Sequence, residues 1–135
     1  TTQEDIEKMR KYLLEQLIPL PSGLKTPIIY GSTCIIDLMK AMNIPLENYT
    51  ESKSHPFKIY AKALDEFIKK VLPLTYRERE IKFPFQYGYV WGIDKAFLNI
   101  TTLAEKIESP FIIPSNANVS QGILYNMVND KLYEK

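Results

Sequence analysis

Nine prolines punctuate this chain and restrict where its helices can run. A proline inside a helix removes a backbone donor, clashes with the preceding turn and drives the residue before it out of the helical region. Pro19, Pro21, Pro45, Pro73 and Pro110 therefore read as the ends of helical segments. In residues 4–18, Ile6, Met9, Leu13, Leu14, Leu17 and Ile18 share one helical face, and Thr2 with Asp5 three residues on reads as its cap. Pro21 to Pro27 reads as an extended connector. A shorter helix follows Ser32 or Thr33, with Ile35, Leu38, Met39 and Met42 as its stripe, and residues 46–54 read as a polar surface loop.

The clearest periodicity predicts a helix over 55–72. Ser54 caps it, Pro56 lies in its first turn, and Phe57, Tyr60, Ala61, Leu64, Phe67, Ile68 and Val71 form a wide apolar face. The period then changes to two. Ile81, Phe83, Phe85, Tyr87, Tyr89 and Trp91 alternate with smaller or polar residues, which predicts a strand over 81–91, at an edge or bent at Pro84. Six large side chains in that register cover a core; a ligand-stacking platform is the alternative. Helical spacing returns over 101–108, opened by Asn99 or Thr101, and again over 118–132, where Val119, Ile123, Leu124, Met127, Val128 and Leu132 are read as facing inward. Phe111 to Ile113 reads as a short strand ahead of a turn at Pro114-Ser115-Asn116. The expected class is mainly α with a small β element, an α+β domain.

Composition narrows the function. With 135 residues, 45% of them apolar and 24% charged, the chain is expected to form one domain over residues 1–135 that folds without staples. Lys plus Arg is 17 and Asp plus Glu is 16, so no strong field gathers nucleic acid or a charged membrane surface. The lone Cys34 excludes an intrachain disulfide and suits a reducing compartment. No run approaches the ~18 apolar residues needed to span a bilayer, and Thr1 to Arg10 is too polar for a signal peptide. The expectation is an intracellular protein of nucleus or cytoplasm. Three glycosylation-type triplets, at Asn48, Asn99 and Asn118, leave secretion as the minor alternative. A first residue Thr1 in place of Met suggests, as an expectation only, a fragment or a processed chain.

Catalytic apparatus is not legible. A Ser or Cys nucleophile needs a neighbouring base, and His55 is the single histidine; zinc needs three or four Cys or His ligands. Glu78, Glu80, Asp94, Glu105 and Glu108 are scattered, and no glycine-rich phosphate loop occurs. No catalytic residue, metal site or cofactor is expected.

The segment Ile100-Thr101-Thr102-Leu103-Ala104-Glu105-Lys106-Ile107, followed by Val119-Ser120-Gln121-Gly122-Ile123-Leu124-Tyr125, resembles the two helices of a helix-turn-helix. The order helix, strand, helix, helix over 55–135 resembles a winged helix, with residues 1–54 as an amino-terminal helical extension. In general plan the chain is similar to the carboxyl-terminal winged helices of the origin-recognition AAA+ family and the silent information regulator proteins. The resemblance implies a degenerate winged helix serving as a homodimerising interaction module in a chromatin- or transcription-associated protein. The apolar face carrying Tyr60, Leu64, Phe67 and Val71 is the expected contact. In the alternative, a sequence-specific DNA-binding domain, Ser120, Gln121, Asn126 and Lys131 face the bases. Phosphate contacts supply much of DNA affinity, and this helix is poor in positive charge, so nucleic acid is not expected as the main partner. A small enzyme or nuclease without a recognisable motif is the third reading.

Overall fold

The computed structural model describes residues 1–32, 34–53, 55–84 and 90–129. In chain order the elements are α1 (Gln3–Gln16), β1 (Ile28–Gly31), α2 (Ile35–Ala41), β2 (Glu47–Asn48), β3 (Phe57–Lys58), α3 (Ala61–Val71), α4 (Tyr76–Lys82), α5 (Ile93–Ile107), β4 (Ile112–Ser115) and α6 (Val119–Val128). The fold is mainly α with a small β component, as expected from the sequence.

Helix α5 is the axis of the core. Phe97 and Leu98 are fully buried on it, and Ile93, Ile100 and Ala104 continue the inward face. Leu64, Phe67, Ile68 and Val71 of α3 and Ile6 of α1 pack in the same cluster. Phe67 is its aromatic hub, with ring centroids 5.4 Å from Phe83 and 5.8 Å from Phe97. Arg10 of α1 ties the three helices at their rim, donating to Asp65 at 2.8 Å, Glu105 at 3.3 Å and Thr101 at 3.4 Å.

The second layer is a parallel pair. β1 runs beside β4, with Ile28 opposite Ile112 and Gly31 opposite Ser115. Ile59 closes the other side of β4 through two 2.8 Å backbone hydrogen bonds with Ile112. Pro114, which has no N–H to give, therefore sits in a strand rather than in the expected turn. Residues 1–54 and 55–135 contribute to one core, because α1 packs on α5 and β1 pairs with β4.

Several expected boundaries are corrected. The helix expected over 55–72 starts at Ala61, because Phe57–Lys58 pairs with Glu47–Asn48 as a short antiparallel ribbon inside the expected loop; the expected cap Ser54 lies outside the described residues. Ile81 and Lys82 of the expected strand close α4 instead. That helix is opened by a capping box in which Glu78 N–H donates to Thr75 Oγ1 and Thr75 N–H donates to Glu78. Ile81 is 72% exposed, whereas Phe83 is buried against Phe67; Phe85, Tyr87 and Tyr89 lie outside the described residues. The helix expected over 101–108 begins at Ile93. Asn99 and Thr101 are interior to it, and Thr101 and Thr102 donate back to Leu98 O rather than capping. The element order on which the winged-helix resemblance rests thus becomes α3, α4, α5, β4, α6 among the described residues.

Candidate functional site

The last described helix leaves the body of the protein from a well-anchored root. Ser115 closes β4, its carbonyl accepting from Ser32 N–H at 3.1 Å and its hydroxyl from Ala117 N–H at 3.1 Å. Asn116 Oδ1 accepts from Ile36 N–H at 3.1 Å, which fixes the connection to the start of α2. Gly31 permits the close passage, since a Cβ there would stand 3.2 Å from Ala117 O. Asn118 then caps α6, accepting from Gln121 N–H at 2.9 Å while its own N–H donates to Gln121 Oε1 at 3.1 Å.

Helix α6 itself reverses the usual amphipathic arrangement. None of its residues is buried. Val119 is 79% exposed, Val128 75% and Leu124 61%, with Ile123 and Met127 also exposed. At 100° per residue these five side chains and Ser120 occupy about half of the helix circumference, while Gln121, Gly122, Asn126 and Asn129 take the remainder with Tyr125. The inward placement expected for Val119, Ile123, Leu124, Met127 and Val128 is corrected, since none of them is buried; Leu132 lies outside the described residues.

The expected contact stripe is placed on the opposite side of that balance. Leu64, Phe67 and Val71 are turned into the core, where α3 lies against α5, and cannot at once meet a partner. Tyr60 alone of the four remains exposed, and its hydroxyl donates to Glu47 Oε2 at 3.3 Å. Of the residues named for base contact, Ser120 and Gln121 are exposed, but Gln121 is engaged in capping; Asn126 is half-buried and Lys131 lies outside the described residues. One signal in the sequence does distinguish α6. Between Glu108 and Asp130 there is no Asp, Glu, Lys or Arg.

Elsewhere the ionisable groups are organised for structure. Arg79 of α4 and Asp94 of α5 form a buried forked pair, Nη1 to Oδ1 at 3.0 Å and Nη2 to Oδ2 at 3.2 Å, and Arg79 also donates to Trp91 O at 2.6 Å. Burial pushes the Asp94 carboxyl upward, but the hydrogen bonds and charge of Arg79, with Lys95 3.8 Å away, outweigh it and hold the group below its ordinary value. Trp91 stacks on Tyr76 at 5.8 Å and donates to Glu80 Oε1 at 2.7 Å, joining the turn before α5 to α4, while the Arg79–Asp94 pair joins α4 to α5. A separate cleft of about 330 Å³ has Met42, Ile44, Phe67 and Phe83 in its lining and Lys70 and Lys82 beside them. Among the described residues no three His, Cys, Asp or Glu side chains converge as a metal site, and no helix is long and apolar enough to cross a membrane.

No protein-family model and no curated protein matches this chain.

Proposed function

We propose that this domain is a protein-interaction module and that α6 is the element it presents. The observation that carries this reading is the exposure of the large apolar side chains of α6. Fully burying a Val, Leu, Ile or Met side chain is worth about 1.5–3 kcal/mol, of which α6 forgoes a part at five positions that are 43–79% exposed. A helix of 10 residues is also marginal on its own in water, since most helical stability comes from packing an apolar face. A surface that covers α6 supplies both terms at once, in the manner of a helix laid against an apolar groove or a second helix.

A photo-crosslinking residue placed in turn at Ile123, Leu124 and, as a control, exposed Lys62 of α3 tests the reading in cells that make the full chain. Adducts with protein are expected from the two α6 positions and not from the control. Absence of adducts from both α6 positions overturns it. The same substitutions leave the melting temperature unchanged if the side chains are outside the core.

A further inference from the structure

We infer that the surface covering α6 is the α6 of a second copy of this chain, laid across the first about a two-fold axis. The inference rests on reading α6 as the contact element and adds the identity of its partner.

In a two-fold contact the same patch meets itself, so any charge on it faces its own like image at short range. Helix α6 carries none, and the uncharged run extends on both sides of it from Ser109 to Asn129. Surfaces that choose a foreign partner generally do so through complementary charge, which sets encounter rate and register. Nothing of that kind is built into this helix. A net charge of +1 also allows two copies to approach without long-range repulsion.

Val119, Ile123 and Met127 form one row at a spacing of four, and Ser120, Leu124 and Val128 form a parallel row beside it. Two rows of this kind enclose a groove, and packing such ridges of one helix into the grooves of another gives a crossing angle of about −50°. The small Ser120 opens the groove next to Leu124, so the helices cross near Ile123 and Leu124. Each large apolar side chain offers about 60–120 Å² to burial, so five half- to three-quarters-exposed side chains amount to roughly 400 Å² per copy and ~800 Å² for the pair. That is below the ~1,000 Å² total of a stable interface, so the dimer is a weak, reversible one, forming in the range of about 10–100 µM.

Sedimentation equilibrium of the full chain from about 5 to about 500 µM reads the outcome directly. The mean mass is expected to rise from 15.7 kDa toward twice that value near ~100 µM. Leu124→Lys and Leu124→Glu each place like charges across the axis and hold the mass at 15.7 kDa, whereas an equimolar mixture of the two regains association at least about tenfold tighter than either alone. Met127→Lys and Met127→Glu provide an independent pair, and an unchanged circular-dichroism melt certifies that each variant is folded. A mass fixed at 15.7 kDa throughout overturns the inference, as does association that neither charge substitution weakens or that mixing does not restore. Crosslinks from Ile123 or Leu124 to a different protein, with a monomeric chain in the centrifuge, overturn the second copy while leaving α6 as the contact element.

Discussion

The Arg79–Asp94 pair makes an asymmetric prediction that tests the packing of α4 on α5. Both side chains are essentially removed from solvent, 2% and 0% exposed. Removing one partner of such a pair costs about 3–5 kcal/mol, because the survivor is a buried charge without compensation. The two survivors differ. In Asp94→Leu the guanidinium remains and cannot lose its proton, and its Nε already lacks a partner in the native protein. In Arg79→Met that orphaned Nε disappears, and the stranded carboxyl can neutralise itself by taking up a proton. From an ordinary value of 3.8, doing so at pH 7 costs about 4 kcal/mol, and at pH 5 only about 1.6 kcal/mol. Asp94→Leu should therefore destabilise more than Arg79→Met at pH 5, and the Arg79→Met penalty should shrink by up to about 2.7 kcal/mol between pH 7 and pH 5. The native protein moves the other way. Its Asp94 is held below the ordinary value, so the stabilisation is present above about pH 4 and is lost as the pH falls through the lowered value. Urea unfolding at pH 7 and pH 5 measures the two variants, and extending it to about pH 3 measures the native protein. Equal losses in the two variants at pH 5, or an Arg79→Met penalty that does not change with pH, would refute the account of a clasp held by charge.

Truncating Phe97→Ala should open a cavity at the centre of the core and cost about 3–5 kcal/mol, and Leu64→Asp should unfold the domain rather than alter its association; chemical denaturation followed by circular dichroism separates these outcomes. Thr75→Ala should cost about 1 kcal/mol through loss of the α4 capping box, read as a lower urea midpoint at unchanged slope.

Local signals carry those parts of the fold that local physics decides. The Thr2–Asp5 capping box is legible because both partners lie within one turn, and Ile6, Met9 and Leu13 of the expected α1 stripe do face the core, whereas Ile18 lies beyond the helix and is 70% exposed. The apolar face of Leu64, Phe67 and Val71 is legible as a face, but periodicity cannot say whether a face meets its own chain or another. Periodicity alone therefore suggests a contact on α3 and a core face on α6, whereas Leu64, Phe67 and Val71 are buried and the apolar side chains of α6 are exposed. Phe57–Lys58 matches a helical pattern because its strand character comes from Glu47–Asn48 and from the neighbouring Ile59–Ile112 bridge, partners outside the local window. The alternation from Ile81 onward masks the Thr75–Glu78 signal just upstream, where a helix start is available from capping residues alone. The candidate site itself is legible through composition rather than period, as the uncharged stretch ending at Asn129.

The parallel pairing of β1 with β4 has a consequence for how the chain comes into being. Ile28 must wait for Ile112, across more than half of the polypeptide, and loop-closure entropy is spent before that contact returns anything. On a ribosome, which emits the amino terminus first at about 5–20 residues per second, β1 emerges seconds before its mate and spends that interval as an unpaired strand with Ile29 in solvent. Helices α1 and α3 likewise have no α5 to close on until Phe97 has been made. The architecture therefore postpones closure until β4 arrives, and α6, synthesised immediately afterwards, is displayed on a body that has only just finished folding.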